Sequence, residues 1–72
     1  MLLSDLLLNQ SAYIDYLSGN PIYIHKLRER GFMVNTPVTM LCVGNPCIIS
    51  LNNSKVCVGT NSLLNIFVKE KI

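Results

Sequence analysis

The sequence predicts a mainly β protein: a small, strongly bent barrel of about five short strands, with one α-helix after the first strand. Three observations predict this class. Five short apolar or alternating segments are separated by Gly, Pro and Asn turn residues. A single stretch carries the start and stop signals of a helix. The chain has 72 residues, and closing so small a sheet removes edges that would otherwise aggregate.

The helix is predicted between two capping residues. Asn20 is a good N-cap, because its side-chain oxygen accepts from a backbone N–H of the first turn. Pro21 suits the next position, where its missing N–H costs nothing. Gly31 supplies a left-handed stop about three turns later. Apolar and polar side chains lie on different faces, with Tyr23, Ile24 and Leu27 on one and His25, Lys26, Arg28 and Glu29 mostly on the other.

The strands are predicted from apolar alternation and from the turns between them. Their expected bounds are 12–17, 38–43, 47–51, 54–58 and 66–69. In the first strand, Ala12, Ile14 and Tyr16 are expected to share one face. Asn52 and Asn53 form a two-residue turn of the kind that accepts positive φ, so strands three and four are expected to make a tight hairpin.

The remaining segments read as turns. Ser4 or Asp5 is expected to cap one short turn near the N-terminus, and Asn9 is expected in a turn that tolerates positive φ. Residues 59–65 form a connection with room for one helical turn, and residues 70–72 form a tail.

Composition narrows the classes of protein. We expect one domain over residues 1–72. The chain is 50% hydrophobic and 14% charged, which predicts an exposed apolar patch, a homo-oligomer or a partner surface. A net charge of +2 is too small for a nucleic-acid footprint.

The longest apolar cluster, at residues 6–8, is far below the roughly 20 residues of a membrane span, and no secretory signal is recognisable. We therefore expect a cytoplasmic protein without direct membrane insertion.

The cysteines are odd in number and widely spaced, so they predict neither a disulfide framework nor a CxxC site. Cys42 is expected on one face with Val38 and Met40, and Cys47 is also expected to be buried. Cys57 is expected to be exposed. The favoured interpretation is that the three thiols are core or incidental residues. The alternative is that they form a soft-metal site of the zinc type together with His25.

Catalytic motifs are missing from the sequence. His25 is the one histidine, and the chain has no G-x-S-x-G, P-loop or H-E-x-x-H pattern. The carboxylates are scattered rather than paired at helical spacing. We therefore expect neither an enzyme nor a resident cofactor.

The order of these signals resembles the ferrous iron transport protein A (FeoA) family over nearly the whole chain. That family opens with a Leu-Ser-Asp-Leu element, here residues 3–6, and an Ala-x-Ile strand, here 12–14. It continues with a helix ending Arg-Leu-x-Glu-Leu-Gly-Phe, here 26–32, and a Gly-Asp-Pro turn, here 44–46. A closing Ile-x-Val strand matches 66–68.

The departures from the family pattern follow a physical rule. Asn stands at Asn9, at Asn35 and at one of Asn52 or Asn53, where the family favours Gly, and Asn is the side chain that best tolerates left-handed backbone. Arg30 replaces a usual apolar residue near the helix end, where a cation suits the helix dipole.

The resemblance implies an SH3-like barrel without enzyme activity, acting as a cytoplasmic accessory of ferrous iron uptake. The implied partner is the transporter FeoB, a membrane protein with a cytosolic GTP-binding domain, which family members are thought to bind and modulate. The alternative is a metal-responsive regulatory module that itself binds a transition metal, with His25 and Cys57 as weak ligand candidates.

A partner surface is expected beside the helix. Its candidate residues combine charge with exposed apolar area and are Tyr23, Lys26, Arg30, Met33 and Val34. The alternative interpretation is that these charges only keep the helix surface soluble and bind no partner. A nucleic-acid groove built from the tyrosines and the basic cluster is the less favoured reading, since small barrels also use such side chains to pack and to stay in solution.

Overall fold

The computed structural model describes residues 1–59, 62 and 64–70. Its elements, in chain order, are a 3-10 helix at Leu3–Asp5, β1 at Ser11–Leu17, α1 at Pro21–Glu29, β2 at Pro37–Cys42, β3 at Cys47–Leu51, β4 at Ser54–Val58 and β5 at Ile66–Glu70. The strands form one antiparallel sheet in the order β4-β3-β2-β1-β5. This confirms the mainly β prediction with one helix after the first strand, and each strand bound lies within one residue of its predicted place.

Asparagine occupies the left-handed turns, as the sequence predicts. Positive φ values occur at Asn9 (65°), Asn35 (68°), Asn52 (49°) and Asn53 (70°). The pair Asn52–Asn53 closes the β3–β4 hairpin with Leu51 opposite Ser54. Two successive positive φ values match the right-handed twist of the flanking strands, so the hairpin is tight.

The predicted caps hold both ends of α1. Asn20 Oδ1 accepts from the Ile22 N–H at 2.8 Å. At the other end Gly31 has φ +101°, and the Gly31 and Phe32 N–H groups donate to the Arg28 and Leu27 carbonyls at 3.0 and 3.2 Å. These two hydrogen bonds form a Schellman motif, which reverses the chain and satisfies the last carbonyls of the helix.

One hydrophobic core joins the elements. Leu27 anchors α1 on it at 2% exposure, and Phe32 follows the helix stop at 1%. Every strand contributes to the buried set, whose members are Leu3, Leu6, Ala12, Ile14, Leu27, Phe32, Val38, Met40, Cys47, Ile49, Leu51, Val58, Ile66 and Val68. Leu27 and the partly buried Tyr23 therefore hold the helix on this core.

Two β-bulges overturn two of the predicted face assignments. A register shift between Ile14 and Tyr16 turns the Tyr16 ring out, where it is 49% exposed and stacks on Phe67 with ring centroids 4.4 Å apart. A second shift between Met40 and Cys42 leaves Cys42 exposed. The predictions that Tyr16 lies with Ile14 and Cys42 with Met40 are wrong, because a bulge inserts one residue and inverts the alternation beyond it.

Local hydrogen bonds hold the N-terminal turn and the described part of the 59–65 connection. Asp5, rather than Ser4, is the capping residue, accepting from the Leu2 N–H at 3.1 Å. In the connection, the Ser62 N–H donates to the Gly59 carbonyl at 3.0 Å, but residues 60, 61 and 63 of the predicted helical turn lie outside the described residues, as do residues 71 and 72 of the predicted tail. Glu70 belongs to β5, not to the tail.

None of the helices described is both long and apolar enough to cross a membrane.

Candidate docking surface

The two ends of α1 each border an open groove, and four of the five predicted partner-binding residues divide between them. The helix groove, at the N-terminal end, has a volume of about 540 Å³ and is lined by Gly19, Asn20, Ile22, Tyr23, Lys26 and Asn65. The edge groove, at the C-terminal end, has a volume of about 310 Å³ and is lined by Arg30, Gly31, Met33, Thr36, Leu51, Asn52, Ser54 and Val56. Tyr23 and Lys26 therefore lie at one groove, and Arg30 and Met33 at the other.

The helix groove combines an aromatic ring held by a hydrogen bond with an exposed aliphatic side chain. The Tyr23 hydroxyl and the Ser62 hydroxyl lie 2.7 Å apart in a hydrogen bond, so the ring of Tyr23 is fixed while it packs on the core. Ile22 is 69% exposed beside it. A protruding aliphatic side chain next to an immobilised aromatic ring offers contact area at low cost in conformational entropy.

Lys26 supplies the charge of the helix groove. Its side chain is exposed. Among the described residues, Glu29 Oε1 lies 2.8 Å from His25 Nε2, and no carboxylate contacts Lys26. The ammonium group therefore has no carboxylate partner within the described part of the chain. A partner that places a carboxylate here gains an ion pair without breaking one.

The edge groove is organised by the helix end and by β4. Arg30 Nη2 donates to the Cys57 carbonyl at 3.1 Å, which ties the end of α1 to β4. Met33 is 57% exposed on the groove wall. Val34 is 60% exposed next to it but does not line the groove.

The helix stop explains why the surface divides. Beyond Gly31 the chain reverses, and the Asn35 N–H donates to the Ile14 carbonyl at 2.8 Å. Met33 and Val34 are thereby carried towards β1 and β4 instead of continuing the line of Tyr23 and Lys26.

Ile22 is the main residue of the helix groove that the sequence reading missed. It lies five positions before Leu27, which is about 140° away around a helix, so the 3.6-residue period already places it off the buried stripe. The expected excess of apolar surface is also present among the described residues, where the exposed large hydrophobic side chains are Met1, Leu7, Leu8, Tyr16, Ile22, Met33, Val34, Val43 and Leu64.

The candidate metal ligands are not brought together. His25 pairs with Glu29 on α1, whereas Cys57 is exposed on β4, as predicted. Cys47 is buried, as predicted, and burial raises the pKa of its thiol. A backbone hydrogen bond opposes this pKa shift, and Cys57 and Cys42 add to it. Within the described ranges, no three His, Cys, Asp or Glu side chains converge to hold a metal ion.

A protein-family model matches nearly the whole chain. The model of the FeoA domain matches residues 1–70. No curated protein matches the chain.

Solved structures share the fold at low sequence identity. FeoA from Chlorobium tepidum is 20% identical with a TM-score of 0.86, over 97% of this chain and 70% of that one. FeoA from Stenotrophomonas maltophilia, complexed with zinc and described as a prokaryotic SH3 domain protein, is 24% identical with a TM-score of 0.82, over 96% and 89%. IdeR from T. acidophilum is 15% identical with a TM-score of 0.88, over 99% of this chain and 34% of IdeR. The SH3-like fold expected from the sequence is confirmed.

Proposed function

Because the chain belongs to the FeoA domain family, which is associated with ferrous iron transport, we propose that it is a cytoplasmic accessory protein that docks on the FeoB-type iron transporter. The proposal assigns it no bond chemistry of its own. Docking modulates transport only when it favours one conformational state of the transporter over another, since a ligand that binds two states equally shifts nothing.

The helix groove is the observation that carries the proposal. It combines exposed Ile22, an aromatic ring held by the Tyr23–Ser62 hydrogen bond and a cation without a carboxylate partner among the described residues, Lys26. An apolar centre beside a charged rim is the usual composition of a protein interface. The partner surface that complements it is apolar and carries a carboxylate opposite Lys26.

The charge at Lys26 predicts how binding responds to substitution of this residue. An exposed ion pair contributes about 0.2–1 kcal/mol, and reversing one charge replaces attraction with repulsion. We therefore expect the apolar contacts to supply most of the affinity and Lys26 to supply part of the orientation.

The test is capture of the transporter from the host membrane fraction by the purified protein, with GDP or a non-hydrolysable GTP analogue present. We expect capture of the ferrous iron transporter that depends on the nucleotide and weakens for Lys26→Glu. Lys69→Glu is the matched control, because Lys69 is an exposed lysine on β5, away from both grooves.

Two results would overturn the proposal. One is no capture with either nucleotide. The other is capture that Lys26→Glu and Lys69→Glu weaken equally, which would show that net charge rather than the helix groove matters. Retention of ferrous or zinc ions by the protein through gel filtration, together with no capture, would favour the metal-responsive alternative.

A further inference from the structure

The two end strands of the sheet differ in how their outer edges are covered. β5 is covered by the N-terminal residues, since the Val68 N–H donates to the Met1 carbonyl at 2.7 Å and Leu2 bridges Phe67. β4 has β3 on one side only. Among the described residues, the hydrogen bond that reaches its other side is the one from Arg30 to Cys57.

The register of the β3–β4 hairpin identifies the outward-facing backbone groups. Leu51 pairs with Ser54 across the two-residue turn, and Ile49 pairs with Val56. Hydrogen-bonded and non-hydrogen-bonded pairs alternate in an antiparallel ladder, so Lys55 and Cys57 direct their N–H and C=O groups away from β3. The Arg30 contact agrees, because it reaches the Cys57 carbonyl from outside the sheet.

The edge groove runs beside this strand and supplies a site for side chains. Val56 and Met33 give it an apolar lining, and Arg30 gives it a cation. Lys55 is exposed on the opposite face of β4. Neither cation forms an ion pair with a carboxylate in the described part of the chain.

We propose that the β4 edge and the edge groove bind an extended peptide segment in which acidic and apolar residues alternate, by addition of the segment as a further strand. Side chains of a strand alternate between faces. The apolar side chains of the segment therefore enter the groove against Val56 and Met33, and its carboxylates lie over Lys55. The peptide backbone replaces Arg30 at the Cys57 carbonyl.

A second copy of this chain fits the edge less well than an acidic segment. Antiparallel pairing of two β4 edges would bring together two cationic edges, each carrying Lys55 and flanked by Arg30, and like charges across a strand pair are destabilising. An acidic side chain over Lys55 makes a favourable pair instead. The inference goes beyond the proposed function, because the transporter can dock at the helix groove whether or not the edge binds a peptide.

The probe is a synthetic heptapeptide of alternating Glu and Val with blocked ends. It is compared with a Lys–Val peptide of the same length and with a Glu–Val peptide N-methylated on the residues that face β4. Binding is followed by amide chemical shifts of the labelled protein. We expect the Glu–Val peptide to bind, with the largest shifts at Lys55 and Cys57, and the other two peptides to bind at least about fivefold more weakly.

Variants separate strand addition from general attraction. Lys55→Glu is expected to weaken the Glu–Val peptide by about fivefold or more, because it adds repulsion at the edge. Lys69→Glu on β5 is the charge-matched control and is expected to stay within about twofold. Urea unfolding checks that both exposed substitutions leave the fold intact.

Three results would overturn the inference. They are no binding of the Glu–Val peptide, equal binding of the N-methylated peptide, and shifts that fall around Ile22 and Lys26 instead of along β4. Equal binding of the N-methylated peptide would show ion pairing without strand addition.

Discussion

The two grooves at the ends of α1 offer different kinds of recognition. At the helix groove, Asn20 caps the helix and the Asn65 carbonyl accepts from the Ser18 N–H at 2.9 Å. We expect this groove to recognise a partner through its side chains. The edge groove borders β4, whose outer backbone groups meet one guanidinium among the described residues. It can recognise a backbone as well.

The difference shows how one short helix serves two surfaces. Apolar contact with an ion pair at the rim distinguishes partners by shape and charge, whereas strand addition gains affinity from main-chain hydrogen bonds and reads alternate side chains. The helix carries Lys26 at one groove and leads into Arg30 at the other. Substitutions can therefore affect either surface alone or both together.

The largest effect is expected from Leu27→Ala, which removes the anchor common to both grooves. Leu27 is 2% exposed, and truncating a buried Leu costs about 2–5 kcal/mol of unfolding free energy. Without this anchor, the residues that line both grooves should become disordered together. Ile22→Ala is the control, because Ile22 is 69% exposed and its loss should change stability by about 0.5 kcal/mol or less. Urea unfolding measures both, and equal losses would contradict the placement of the helix.

A smaller effect, confined to the edge groove, is expected from Gly31→Ala. Gly31 has φ +101°, and an added Cβ would lie 3.5 Å from Leu51 Cδ2, which is ordinary contact. The cost is therefore backbone strain, about 1–2 kcal/mol.

Gly59→Ala is the matched control for that substitution. Gly59 does not have positive φ, and an added Cβ meets nothing within 4 Å among the described atoms. Thermal or urea unfolding should show little change. Equal destabilisation by the two substitutions would mean that the left-handed stop does not hold the helix end.

The smallest perturbation is thiol labelling, which reports the difference between the exposed cysteines of β2 and β4 and the buried cysteine of β3. Cys42 and Cys57 are exposed, whereas Cys47 is buried with a raised pKa. Since the thiolate is the reactive form, Cys47 has less of it at a given pH and less access to reagent. Two thiols should react quickly in the folded protein and three in denaturant. Fast reaction of all three without denaturant would contradict the buried position of Cys47.

Local backbone chemistry could be predicted from the sequence. Asn9, Asn35, Asn52 and Asn53 all adopt the left-handed conformation, because few other side chains tolerate it. The helix caps likewise form hydrogen bonds with residues close in sequence, since Asn20 accepts from the Ile22 N–H and the Gly31 N–H donates to the Arg28 carbonyl. Such features depend on a few consecutive residues, so a single sequence carries them.

Features that depend on register and on chain reversal could not be predicted. Alternation placed Tyr16 and Cys42 on the core side, and the bulges in β1 and β2 turn both outward. The partner surface was expected as one patch, with Met33 and Val34 beside the charges of the helix. The Schellman motif after α1 directs Lys26 and Met33 to separate grooves.

The most direct test of docking at the helix groove is the affinity of the transporter's cytosolic GTP-binding domain for the protein and for two charge-reversal variants. Docking at the helix groove predicts that Lys26→Glu weakens binding by about fivefold or more, while Lys55→Glu at the β4 edge stays within about twofold. No binding in any nucleotide state, or loss of binding through Lys55→Glu with Lys26→Glu unaffected, would contradict docking at the helix groove.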